Sequence, residues 1–200
     1  MSASPERFLK KAGRKLISQP IKGTRKRGDS VAEDNKLKKE LLRCPKERSE
    51  NVMIVDLVRN DLSRTASKGS VKVEELFGVY SFQQVHQMIS TITSDLKEGV
   101  SDVQAIRCAF PMGSMTGAPK IRAMELIEEY ESTKRGLYSG SVGYFTPQGD
   151  FDFNVIIRSI LYNAKNKYAS FMVGGAITAK AIPAQEYEEC LVKAKAMFEV

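Results

Sequence analysis

The chain has 200 residues, 42% hydrophobic and 28% charged, a balance that fits one globular domain with a sizeable core and excludes a disordered or fibrous chain. Its apolar stretches, such as residues 155–157 before Arg158, are too short to span a bilayer, and Arg7, Lys10, Lys11, Arg14 and Lys15 interrupt any signal-peptide core. The net charge of +7 is uneven: residues 1–48 carry +9 and the rest −2.

That basic front suits a small dianionic substrate or a solvated face. With no aromatic residues interleaved and no tryptophan, it does not suit nucleic acid. Cys44, Cys108 and Cys190 lie far apart and form no CxxC pair. They read as reduced thiols of a cytoplasmic protein, not as a disulfide frame or zinc site.

In chain order, residues 15–21 alternate loosely up to Pro20, as a strand entering a turn does. Residues 20–28 hold two glycines and four basic side chains and read as a loop or strand end. A short helix is predicted over 33–42. Pro45 sits where a helix start tolerates proline, and apolar positions 54, 57 and 58 predict a helix over 46–62. Residues 70–82 and 84–96 are rich in β-branched and aromatic side chains and read as strands. A short helix over 102–109 precedes a glycine-containing loop over 110–117. Pro119 opens a helix to about residue 131, with positions 121, 124 and 127 on one face. Three β-like runs follow, 137–146, 151–162 and 168–173. Pro147-Gln-Gly-Asp150 marks a hairpin between the first two. A last helix opens at Pro183, with apolar positions 187, 191, 194 and 198. Strands with hairpins, mixed with helices, predict an α+β fold with an antiparallel sheet.

Several groups carry chemistry. Glu47 and Glu50 stand three apart at one helix start, and Glu186 and Glu189 repeat this at another. Each pair offers carboxylate oxygens in one direction, as a hard cation requires, or simply complements a helix dipole. Lys22 stands beside Arg25, Lys26 and Arg27. It is a surface lysine or, if the neighbouring cations depress its pKa, a nucleophile. The run Pro111–Lys120 is a turn with an N-cap, or a loop whose N–H groups hold an anion. His86 is the only histidine, a core residue or a catalyst. Arg158 interrupts an apolar run and needs an anionic partner, either a substrate carboxylate or a structural glutamate. Tyr138 precedes a strand and reads alone as an aromatic core residue.

Together these segments resemble the chorismate-utilising enzymes. The matching pieces occur in order: Ser4-Pro-Glu-Arg-Phe8, Pro20-Ile-Lys-Gly-Thr-Arg25, Lys46-Glu-Arg-Ser-Glu50, Ile54-Val-Asp-Leu-Val-Arg-Asn-Asp-Leu62, 111–125, Arg135-Gly-Leu-Tyr-Ser-Gly140, Ile157-Arg158, Gly174-Gly-Ala-Ile177 and 183–189. The resemblance implies an α/β sandwich of two mainly antiparallel sheets with flanking helices. Residues 1–200 then form the C-terminal portion of a chorismate-binding domain in a family chain about twice as long. It implies that Glu6 is the acid assisting departure of the C4 hydroxyl. It further implies Mg²⁺ on Glu50 and Glu189, with Glu47 and Glu186 around the metal through water. His86 would organise the ring and its leaving groups. Tyr138 and Arg158 would hold the enolpyruvyl carboxylate, Gly174, Gly175 and Ser114 would line the carboxylate sites, Lys193 would stand beside the ring carboxylate, and Thr24 near C2.

Chorismate is a dianion, and losing hydroxide from C4 needs a proton donor and charge neutralisation. Four glutamates around one site are expected to raise some of their own pKa values when metal is absent. Pro-Ile-Lys-Gly-Thr resembles the aminodeoxychorismate type, in which Lys22 attacks C2 and ammonia from a glutamine amidotransferase partner enters at C4, on the way to para-aminobenzoate and folate. The alternatives are an anthranilate synthase component, which generally carries alanine at this position, and an inactive half-length fragment. Ala179-Lys-Ala-Ile182 departs from the Asp-Ser pair more usual in the family before this Ile-Pro. No membrane or nucleic-acid partner is expected.

Overall fold

The computed structural model describes residues 1–179 and 181–198. Strands β1 (Arg7–Ala12), β2 (Lys15–Gln19) and β3 (Ile21–Lys26) come first, then helices α1 (Val31–Arg43) and α2 (Pro45–Ser63). The long strands β4 (Lys72–Ser81) and β5 (Val85–Asp95) follow, then α3 (Asp102–Ala109) and α4 (Lys120–Tyr130). Strands β6 (Ser141–Phe145), β7 (Phe151–Val155), β8 (Ile160–Asn163) and β9 (Tyr168–Phe171) precede α5 (Pro183–Phe198).

Seven strands form one sheet in the order β3-β5-β2-β1-β7-β6, with β4 on the other edge of β5. All its pairings are antiparallel. The fold is mixed α and β with antiparallel sheets, as expected. Among the described residues the second sheet is the β8–β9 hairpin alone. β5 organises the large sheet. Its Ile92–Asp95 end pairs with β2, and its Val85–Ile89 end pairs with β3. Pro20 marks the join and its carbonyl still accepts from Ser90 N at 3.3 Å, so proline is tolerated where its missing N–H is not needed.

The core lies between this sheet and α2 with α3. Phe8, Leu9, Leu16, Ile92, Phe151 and Val155 from the strands meet Ile54, Val55, Val58, Leu62, Ala105 and Ala109 from the helices. The predicted helices all form, with Cys44 separating α1 from α2 and Pro45 opening α2.

Residues 7–12, left unassigned from sequence, form the central strand β1. Residues 21–26, read as a loop or strand end, form strand β3. Two expectations need correction. The run 151–162 is broken: Arg158 takes φ +48 between β7 and β8, so the apolar run is two strands on two sheets. The apolar faces predicted for the last two long helices are not buried. Ile121 is 74% exposed, Leu191 46% and Phe198 75%, and of those positions only Ala194 is buried. Periodicity reports a face that wants cover, and among the described residues these two faces receive only part of it, as where Phe198 meets the Phe171 ring.

Candidate active site

Glu6 stands just before β1, tied by its carbonyl to Val155 N at 3.0 Å. Its carboxyl is buried, and burial pushes its pKa up to about 7. The Ser114 hydroxyl, the Lys22 charge, the Ile21 N–H and the Arg158 charge all oppose that rise, so these groups surround the carboxyl. Ser114 Oγ is buried beside the Glu6 carboxyl and has no other partner among the described residues.

Lys22 enters from β3. The charges that feel it are carboxylates, Glu6, Glu50 and Glu189. Two of the three cations expected to act on Lys22 are engaged with carboxylates: Arg25 Nη1 lies 3.5 Å from Glu47 Oε1, and Arg27 is bidentate on Asp34 at 2.7 and 2.8 Å. Gly23 takes φ +90, and a Cβ there would sit 2.9 Å from Leu41 Cδ1 and 3.1 Å from Glu47 Oε2. Its role is to let α1 and α2 press against β3.

The first two turns of α2 supply Lys46, Glu47 and Glu50. Burial raises the Glu50 pKa, opposed by Lys22 and Lys46 and reinforced by Glu47 and Glu186. Glu50 Oε1 is buried with no partner. Lys46 Nζ reaches Glu186 Oε1 on α5 at 3.3 Å. One turn on, Glu189 pairs with Lys193 at 2.7 Å, and Lys193 also donates to the Gly174 carbonyl at 2.9 Å. Burial works to raise Glu189, but Lys193 and the Lys46 and Lys22 charges outweigh it and lower its pKa. The upward shift expected for some of the glutamates is seen at Glu50, where burial leads and Glu47 and Glu186 add to it, while Glu189 is lowered. Gly175 approaches Glu186 Oε2, and Gly174 approaches the Tyr138 hydroxyl, so closely that added Cβ atoms would lie 3.1 and 2.8 Å away. Burial pushes the Tyr138 phenol up, so it stays a neutral hydroxyl. The Arg158 guanidinium makes no hydrogen bond or ion pair among the described residues.

The geometry thus gathers Glu6, Lys22, Ser114 and Arg158 around one carboxyl, and Glu47, Glu50, Glu186, Glu189, Gly174, Gly175, Tyr138 and Lys193 around the facing ends of α2 and α5. Thr24, exposed on β3, enters only through its carbonyl, which accepts from Arg25 at 2.9 Å.

His86 is set apart. It is fully buried, with Nδ1 at 2.9 Å from Ser81 Oγ and Nε2 at 2.9 Å from Asp34 Oδ1. Arg27, the Gly28 N–H and His86 hold Asp34 well below the usual carboxylate range. With both ring nitrogens engaged, His86 has no nitrogen free for a ring, and no hydrogen bond joins it to the glutamates.

The profile of the chorismate binding enzyme family matches residues 1–199. This chain belongs to the chorismate binding enzymes. It is 50% identical over 197 residues to the aminodeoxychorismate synthase of Streptomyces griseus, covering 97% of this chain and 27% of that protein. It is 45% identical over 197 residues to anthranilate synthase component 1 of Bacillus subtilis (strain 168), covering 98% of this chain and 38% of that one. Anthranilate synthase component I from Streptococcus pneumoniae TIGR4 superposes with a TM-score of 0.84 at 36% identity, over 98% of this chain and 43% of that structure. The chain thus spans less than half the length of each of these relatives.

No three carboxylate, histidine or thiol groups among the described residues stand close enough to form a ready metal site. The donor set nevertheless fits Mg²⁺: it offers only oxygens, and the orphaned Glu50 Oε1 lacks the partner a cation would be. Lys46 and Lys193 now stand on Glu186 and Glu189, where such a cation would compete with them.

Two positioning cations escaped the sequence reading. Lys120 Nζ, nearly buried, bonds Asp61 Oδ2 and the Pro111 carbonyl, both at 2.6 Å, and so ties the Ser114 loop to α2. A signal existed: a lysine in a helix's first position opposes the dipole, and its presence calls for a local partner. The other is Arg135, whose partners lie on both sides of it in sequence.

Proposed function

We propose that the protein aminates chorismate at C4 to give 4-amino-4-deoxychorismate, with Lys22 as the nucleophile. The observation that carries this reading is the placement of Lys22: it projects from β3 among Glu6, Glu50 and Glu189, beside the buried acid. Its support from relatives is the Streptomyces griseus protein's name.

Chorismate's two carboxylates need cations and donors. The unpaired Arg158 with the neutral Tyr138 hydroxyl suits the enolpyruvyl carboxylate, and Ser114 Oγ and Lys193 suit the ring end. The free amine of Lys22 attacks C2. Both ring double bonds shift, to C1=C6 and C4=C5, the C4–O bond breaks, and Glu6 gives its proton to the departing hydroxyl, which leaves as water. Ammonia then bonds to C4, the double bonds return, and the C2–N bond breaks to release Lys22. Glu50 and Glu189 would hold Mg²⁺, with Glu47 and Glu186 around it, and the cation would neutralise carboxylate charge on the ring. Ammonia would come from a glutamine amidotransferase subunit, in keeping with the "component 1" in relatives' names. A lyase acting afterwards would remove pyruvate.

A second reading, anthranilate synthase, is favoured by the Bacillus subtilis relative; it differs in adding ammonia at C2 without a lysine adduct. Product identification by mass after incubation with chorismate, Mg²⁺ and ammonia separates the two. Lys22→Arg keeps the charge but not a usable amine. It is expected to lose at least about 100-fold in rate, the scale of a lost covalent route, and wild-type protein to show a chorismate-derived adduct on Lys22. A fully active Lys22→Arg without adduct overturns the covalent role, and anthranilate as the main product selects the second reading.

A further inference from the structure

Arg135 links two segments of the candidate site. It follows α4 and returns to it, with Nε 2.9 Å from Glu131 Oε2 and Nη2 2.6 Å from Glu131 Oε1. This bidentate pair fixes the plane of the guanidinium. The free edge then points two ways. Nη1 donates to the Met115 carbonyl at 2.7 Å and to Ser139 Oγ at 3.0 Å. Met115 directly follows Ser114, and Ser139 directly follows Tyr138. Among the described residues, no other hydrogen bond joins 113–116 to 137–140. Ser139 is buried and held at φ +68, a conformation a serine keeps only where its surroundings impose it.

We infer that the Glu131–Arg135 pair is a positioning device that sets the spacing between the Ser114 hydroxyl and the Tyr138 phenol, and with it the fit of the substrate carboxylates. The substrate half of this inference rests on the function proposed above; the clamp itself does not. A lysine cannot replace the arginine, because one ammonium cannot hold a carboxylate and two acceptors of separate segments in one plane.

Two measurements test it. Hydrogen exchange followed by mass spectrometry needs no substrate. Arg135→Gln is expected to speed amide exchange about tenfold or more in both 113–117 and 137–141, with β5 unchanged. Glu131→Gln, which leaves Arg135 in place without its anchor, is expected to do the same more weakly and serves if Arg135→Gln does not fold. Unchanged exchange in either segment overturns the clamp. Kinetics come second. Arg135→Gln is expected to raise KM for chorismate about tenfold while kcat falls less than about threefold, and Arg135→Lys to recover little of it. Combined with Tyr138→Phe, it should raise KM no further than the larger single change. Additive effects, or a fall in kcat alone, overturn the positioning role. Wild-type protein that does not bind chorismate overturns the proposed function, and exchange alone then decides the clamp.

Discussion

The Glu6 carboxyl is buried, and its pKa of about 7 makes the native state pH-sensitive in a definite direction. Below about pH 4.5 the acid is protonated folded and unfolded, and there is no penalty. Between about 4.5 and 7 the unfolded chain ionises first, so native stability falls as pH rises. Above about 7 the full penalty applies, about 3 kcal/mol. Glu6→Gln removes it. Denaturant melts should find the glutamine variant equal to wild type near pH 4 and more stable by up to about 3 kcal/mol near pH 8. Parallel curves would show that burial does not hold the proton on Glu6. At the second cluster, Glu50→Gln and Glu189→Gln are each expected to raise the Mg²⁺ requirement about tenfold or more, with the thermal midpoint little changed. If both variants keep the wild-type titration, the metal assignment is wrong. Residue types announced these groups well: two ExxE pairs and a lysine among glycines stand out in any sequence. What they could not announce is who neutralises whom. Lys22 faces carboxylates while Arg25 and Arg27 turn to Glu47 and Asp34, across the irregularity between Ile21 and Thr24 in β3.

Elements were legible where the signal is local. Pro45 at the start of α2 and the turn at Pro147–Asp150 act within a few residues. β1 and the break at Arg158 were not, because a central strand with two lysines and a bend between two sheets are decided by distant neighbours. The same holds for the lysine that docks α4. Lys120 and Asp61, 59 residues apart in sequence, form a nearly buried pair. Burial alone raises the Asp61 pKa, against the pull of Lys120. Removing one partner strands a charge, so Lys120→Met is expected to cost about 3–5 kcal/mol. Lys120→Met with Asp61→Leu should cost clearly less than that, since both charges go. Equal costs for the single and double variants in chemical melts would show that the pair is not what holds α4 to α2.

At the scale of the whole molecule, the exposed stripes matter most. Ile121, Met124, Tyr187, Leu191 and Phe198 stand on helix faces patterned for burial, and Tyr144 and Phe145 extend the apolar surface on β6. Exposed apolar side chains in this number bind dyes or other molecules. The protein is expected to bind a hydrophobic fluorescent probe in its native state, or to self-associate with rising concentration in sedimentation. A monodisperse monomer without probe binding would show that these faces are covered by side-chain rearrangement. No described helix is long and apolar enough to cross a membrane.

The central place of β1 has a kinetic consequence. Its partners are β2, a few residues away, and β7, with Arg7 opposite Asn154. During synthesis β1 therefore emerges well over a hundred residues before β7, the strand that fills its second edge. Pairing across such sequence distance is slow, and an open edge invites wrong partners in the interval. Glu6, Lys22 and the glutamates of α5 come together only after the last helix has been made. Nascent chains halted before residue 151 should accordingly be caught by chaperones with β1 accessible, and release should coincide with the arrival of β7.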